Sequence, residues 1–252
     1  MIFDSHAHYD DTKFDNDRFD LLSSFPKNQI SRVINVGVDL KSSIDSVALA
    51  QKYDFIYAAI GIHPQNLNVH ENYISDLEKI FYFAKENIVA IGEIGLDYNK
   101  IQYNIETQKK FFENQVILAK NLNLPVIVHA RDALSDTFDI LKKFRPNGII
   151  HCFSGDSEFA QKVIDLNLKI GVGGTITFKN FSDLANVIAE VPIENILLET
   201  DAPYLAPAPL RGKRCNSTYI KYTAEKLAQI KKIPIETIFS VTEHNAFEFF
   251  KI

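Results

Sequence analysis

Two of the chain's seven histidines stand one residue apart in the opening run Met1-Ile2-Phe3-Asp4-Ser5-His6-Ala7-His8. Alternate side chains of a strand share a face, so His6 and His8 can present two imidazoles to one divalent ion. A lone pair of this kind is more often two partly buried, hydrogen-bonded histidines. Recurrence separates the two readings. His63 closes a β-branched run in Gly61-Ile62-His63-Pro64, and Glu93 lies in Gly92-Glu93-Ile94-Gly95-Leu96-Asp97. His129 ends Pro125–Ala130, His151 opens His151-Cys152-Phe153-Ser154-Gly155, and Glu199-Thr200-Asp201 closes a further apolar run. His70 and His244 fall outside this pattern and read as surface or structural residues. Histidines and carboxylates at the ends of apolar runs are costly to bury unless paired or bound to metal.

Four histidines with two or three carboxylates exceed what one zinc-like ion takes, so two ions sharing a carboxylate are expected. Glu93 is the candidate bridge. One ion would take His6, His8, Glu93 and Asp201, and the other Glu93, His129 and His151, leaving room for a water or hydroxide between ions about 3.5 to 4 Å apart. Asp201 could also accept the nucleophile's proton. Glu199, on the same strand face, would support the ligands, bind a third ion or pair with a basic residue. His63 would donate a hydrogen bond to a leaving oxygen or hold a loop. Arg211, Lys213 and Arg214 in Leu210-Arg211-Gly212-Lys213-Arg214 form a candidate phosphate clamp, with Arg131 a second candidate for phosphate or for a salt bridge at a helix start.

These residues need a scaffold that gathers strand ends. Apolar runs alternate with segments of helical period along the chain. Expected strands are residues 1–8, Arg32–Gly37, Ile56–His63, Ile88–Asp97, Pro125–Ala130, Gly148–Phe153, Leu168–Gly174 and Ile196–Asp201. Amphipathic segments include Ser42–Tyr53, Tyr73–Glu86, Glu106–Asn123 and Asp132–Phe144, with closing helices at Asn216–Ile230 and Pro234–Phe250. The alternation predicts a parallel sheet with right-handed crossovers, and eight repeats predict an α/β fold closed into a (β/α)8 TIM barrel with its site at the strands' C-terminal ends. An open doubly wound sheet would carry a Gly-rich phosphate loop after its first strand, where this chain has His-Ala-His.

The 252 residues, 46% of them hydrophobic, are expected to form one domain, 1–252, and a monomer. A formal charge of -5 does not attract polyanions, so any nucleic-acid contact must be local. Two cysteines are too few for a disulfide framework. The chain shows neither a leader pattern nor an apolar run of about 18 residues, so a cytoplasmic protein without membrane contact is expected.

Together, DSHAH, GIHP, GEIGLD, PVIVHAR, HCFSG, ETDAPYL and RGKR resemble the TatD family of metal-dependent deoxyribonucleases, in order and over essentially the whole chain. The resemblance implies a barrel of the metal-dependent hydrolase type, with ligands at His6, His8, Glu93, His129, His151 and Asp201. It also implies two divalent ions (Mg, Mn or Zn) and 3′–5′ exonuclease action on single-stranded or exposed DNA ends or another phosphodiester. Amide or ester hydrolysis on the same barrel is the alternative, as in a D-aminoacyl-tRNA deacylase. Many amidohydrolases bridge their metals with a carboxylated Lys, and Glu93 at that strand favours the nuclease branch. A non-catalytic metal or nucleic-acid binding module is disfavoured by the complete ligand set. After Arg214 the family usually continues Asn-Glu-Pro, whereas this chain reads Cys215-Asn216-Ser217.

Overall fold

A computed structural model describes residues 1–99 and 102–252. Its strands are β1 (Ile2–Ala7), β2 (Ile30–Val36), β3 (Ile56–Ile60), β4 (Ile88–Asp97), β5 (Val126–Arg131), β6 (Gly148–Ile150), β7 (Lys169–Val172) and β8 (Ile196–Leu198), hydrogen-bonded in that order in one sheet. Helices follow as α1 (Arg18–Ser24), α2 (Leu40–Lys52), α3 (Tyr73–Phe83), α4 (Ile105–Leu122), α5 (Leu134–Phe144), α6 (Ser157–Asp165), α7 (Ser182–Glu190), α8 (Ile220–Lys231) and α9 (Ile235–Phe250). The pairs β3/β4, β4/β5, β5/β6 and β7/β8 are parallel, and a parallel bridge joins Ala7 to Ala202. The fold is the (β/α)8 TIM barrel expected from the alternation.

By internal contacts the chain divides into two compact units: residues 1–34, 152–161 and 169–252, and residues 35–151 and 162–168. In the first, α9 packs on β1 and β8, with Phe3 edge-on to Phe247 and stacked on Phe250. Tyr9 is wholly buried against Phe14 and Phe25. Every β1 residue is buried, as expected of a parallel strand covered on both faces.

In the second unit α2 packs on β3 and α4 on β4. Helix α2 begins with a capping box, the Asp39 carboxylate accepting from the Ser42 amide, and α4 begins with Asn104 accepting from the Thr107 amide. Two buried glutamines of α4, seven residues and two turns apart, act on the strand ends. Gln115 Oε1 accepts from the Ile62 amide at 2.7 Å while its Nε2 donates to the Ile62 carbonyl at 3.0 Å. Gln108 makes the same pair of bonds to Asp97, at 2.9 and 3.1 Å. A helix face that would otherwise be apolar thus fixes the backbone beside His63 and at the end of β4.

Four strands stop two or three residues short of their apolar runs. β3 ends at Ile60, so His63 lies in the following loop, where its amide donates to the Val38 carbonyl at 2.9 Å. β6 ends at Ile150, β7 at Val172 and β8 at Leu198, leaving His151, Glu199 and Asp201 just beyond the ladder. Burial continues past the last ladder hydrogen bond, so hydrophobicity alone overruns the strand.

Candidate metal centre

The first unit brings together His6, His8 and Asp201. His6 Nε2 and His8 Nε2 face each other at 3.1 Å, and Asp201 Oδ1 lies 3.4 Å from His8 Nε2 and 3.9 Å from His6 Nε2. The backbone holds the three in register. The Asp201 amide donates to the His6 carbonyl at 2.9 Å, and the His8 amide to the Ala202 carbonyl at 2.7 Å. Asp201 adopts the left-handed conformation, φ 61°, which Asp tolerates better than most residues.

Beneath them lies Asp4, which sequence reasoning passed over. Fully buried, it accepts from Thr200 N at 3.0 Å, Thr200 Oγ1 at 2.7 Å and Ser217 Oγ at 2.6 Å. It therefore fastens the segment bearing Asp201 to the strand bearing His6. Burial pushes its carboxyl up to about 7, with these hydrogen bonds pulling the other way. The available signal was a third polar residue, Asp4, on the strand face shared by His6 and His8.

The second unit gathers three sequence-predicted histidines around one carboxylate. Glu93 Oε1 lies 2.8 Å from His129 Nδ1, 3.5 Å from His151 Nε2 and 3.6 Å from His63 Nε2. A bulge aims this carboxylate. Between Ile91 and Ile94 the β4 register advances three residues while β5 advances two, Val126 to Val128. Gly95, φ 140°, allows the strands to close again, since a Cβ there would fall 2.0 Å from the His129 carbonyl oxygen.

The two ring environments differ. His129 Nε2 faces Asp97 Oδ2 at 3.3 Å, so both its nitrogens meet carboxylates. Burial opposes charge on this ring, but hydrogen bonds to Asp97 and Glu93 prevail and raise its pKa. Burial likewise opposes charge on Asp97, yet His129, Gln65 and the Asn99 amide hold its carboxyl below the usual range. Asp97 thus fixes the ring with Nδ1 turned to Glu93, the role a carboxylate plays behind a metal-binding histidine. His63 differs because its Nδ1 accepts from the Gln65 amide at 3.1 Å. A neutral His63 therefore carries its proton on Nε2 and presents a donor.

Within each cluster the ligand-type atoms lie near enough to one another to hold a divalent ion after small adjustments. Ligand atoms bonded at about 2.1 Å are separated by roughly 3.0 to 3.4 Å in octahedral or tetrahedral geometry. His6, His8 and Asp201 form one such group; in the second unit atoms of His63, Glu93 and His129 also lie close together, but a neutral His63 turns a donor and not a lone pair toward them. Glu199 is buried, and its Oε1 accepts from the Cys152 amide at 2.6 Å, bracing the turn where Cys152 has φ 45°. Gly171 leaves room for this carboxylate, because a Cβ there would come within 2.4 Å of Glu199 Oε2.

Arg131 is exposed at the end of β5, its Cα opposite Asp97 in register. Arg214 is held by Asp17, Nη1 to Oδ1 at 2.7 Å and Nη2 to Oδ2 at 2.5 Å, while Arg211 and Lys213 are exposed. Of the remaining histidines, His70 pairs with Asp76 at 2.9 Å and His244 is exposed on α9. No helix among the described residues is long and apolar enough to cross a membrane.

The profile of the TatD related DNase family matches residues 3–251. The chain belongs to this family. Among TatD-family relatives, the uncharacterized metal-dependent hydrolase YabD of Bacillus subtilis (strain 168) is 39% identical over the full length of both chains. The uncharacterized metal-dependent hydrolase YcfH of Escherichia coli (strain K12) is 34% identical, covering all of this chain and 96% of YcfH. The crystal structure of YjjV, a TatD homologue from Escherichia coli K12, superposes with a TM-score of 0.94 at 30% identity, covering 100% of this chain and 98% of that one. Family and ligand clusters agree on a metal-dependent hydrolase of the TatD family.

Proposed function

We propose that the protein is a deoxyribonuclease that removes nucleotides 3′ to 5′ from single-stranded or exposed DNA ends, using two divalent ions. The observation that carries this reading is two clusters of ligand-type side chains, His6, His8 and Asp201 in one and the histidines within 3.6 Å of Glu93 Oε1 in the other. His6, His8 and Asp201 would hold one ion, His129 and His151 the other, and Glu93 would serve both. When bound, such ions lower the pKa of water and offset charge on phosphate oxygens.

The chain's own residues supply the rest. Asp201 is the proton acceptor for the attacking water, placed by its left-handed backbone and by Asp4 through Thr200. Asp97 keeps His129 oriented for ligation. His63, with its proton on Nε2, is better suited to donating to the leaving oxygen than to ligating. Arg211 and Lys213, with the exposed Arg131, would meet the phosphates. Arg214 could join them only by leaving Asp17. Such a protein needs neither a membrane nor a second subunit, and we take it to act as a cytoplasmic monomer.

A time course with end-labelled single-stranded DNA and Mg2+ or Mn2+, comparing wild type with Glu93→Ala, tests the proposal. A ladder progressing from the 3′ end, and cut at least about a hundredfold more slowly by the variant, is expected. DNA left intact by metal-loaded wild type would sink it and turn attention to aminoacyl esters and amides.

A further inference from the structure

The run Cys215-Asn216-Ser217, where the family usually has Asn-Glu-Pro, supplies none of the candidate ligands, yet it is fastened to the strand that carries two of them. The Cys215 amide donates to the Pro203 carbonyl at 3.0 Å. The Asn216 side chain caps the short 3-10 helix Ser217–Tyr219, accepting from the Thr218 amide at 3.0 Å. Ser217 is thereby set at the start of that helix, fully buried. Its Oγ donates to Asp4 Oδ2 at 2.6 Å and lies 2.7 Å from the Tyr9 hydroxyl, and its amide donates to the same hydroxyl at 2.7 Å.

With Asp4 as a carboxylate the directions of these bonds are determined. A hydroxyl has one proton, and that of Ser217 goes to Asp4, so Ser217 Oγ accepts from Tyr9. The Tyr9 oxygen in turn accepts from the Ser217 amide. Asp4 Oδ2 also receives Thr200 Oγ1, and Asp4 Oδ1 receives the Thr200 and His6 amides at 3.0 and 3.3 Å. A proline at 217 would bring neither the hydroxyl nor the amide proton.

The contacts of this one serine bracket the ligand-bearing segment. Tyr9 directly follows His8, and Asp4 lies two residues before His6. Through Asp4 and Thr200 the same chain of bonds reaches the residue before Asp201. Removing the Ser217 hydroxyl takes a donor from Asp4 and the acceptor from the Tyr9 proton, both of them wholly buried, where such a loss is costly.

We propose that Ser217, acting through Asp4 and Tyr9, is a positioning residue that holds His6, His8 and Asp201 in the arrangement that binds an ion. The inference rests on the reading of these three residues as a metal site. It gives the departing run a part in setting that site's affinity.

Calorimetric titration of chelator-treated protein with Mn2+ tests it, with His8→Ala identifying the binding step that belongs to this group. Ser217→Ala is expected to weaken that step at least about tenfold and to leave the other within about twofold. Ser217→Thr keeps the hydroxyl and is expected to recover most of the affinity. Tyr9→Phe removes a single hydroxyl and is expected to weaken the same step to a smaller degree. Urea midpoints of the metal-free forms report folding separately. Lower midpoints with wild-type Mn2+ affinities in both Ser217→Ala and Tyr9→Phe would show a network that serves folding alone and would overturn the positioning role while keeping the metal centre. Equal weakening of both steps would overturn it as well. Wild type that binds no Mn2+ would remove the metal centre and the role with it.

Discussion

Asp4 is the residue on which the first ligand group depends without being part of it. Its carboxyl joins Thr200 and Ser217 to β1, and burial has pushed it up to about 7 from an ordinary 3.8. Between these values the folded protein holds a proton that the unfolded chain has released. Asp4 therefore supports stability most below about pH 4, less as pH rises, and at a constant lower level above about pH 7. Urea midpoints of metal-free wild type and Asp4→Asn at about pH 4.5 and about pH 7.5 check this, with wild type expected to lose ground against the variant at the higher pH. An equal gap at both would mean that Asp4 does not titrate in this range. The ligand-type residues were legible because His and Glu are conspicuous in apolar runs. Asp4 was not, because its one signal, a place on the strand face of His6 and His8, does not separate a buried supporting carboxylate from another ligand or a surface group.

At the scale of elements, β4 is where spacing and geometry part. Strict alternation along Ile88–Asp97 would set each side chain by parity, but the bulge between Ile91 and Ile94 breaks parity beside Glu93. Gly95 permits the close approach to His129 that follows. Gly95→Ala is expected to cost roughly 2–4 kcal/mol, seen as a lower urea midpoint with unchanged slope. An unchanged midpoint would show that the strands can part at this point without cost. The sequence motif Gly-Glu-Ile-Gly showed that something special happens here but not which way Glu93 turns, since a bulge is a property of two strands read together. The same limit explains the loop position of His63, which Gln115 and Val38 fix from outside its own segment. Gln108 and Gln115 were hidden for a related reason, as a polar residue on a helix is informative only once its buried face is known.

For the whole molecule, order carried the fold. Eight apolar runs alternating with amphipathic segments admit few topologies, and the observed strand order follows the chain from β1 to β8. The clustering of the candidate ligands was legible for the same reason, since the ends of successive parallel strands are where such a fold gathers its chemistry. How many ions they hold depends on distances between side chains of distant segments, which no spacing encodes. The central claim is that His6, His8 and Asp201, together with His129 and His151, hold two ions through a shared Glu93. Titration of chelator-treated protein with Mn2+ or Zn2+, by calorimetry with elemental analysis of the product, measures this directly. About two ions per chain in wild type, with both weakened by Glu93→Ala, is the predicted result. A single ion per chain, or two that bind Glu93→Ala with unchanged affinity, would contradict it.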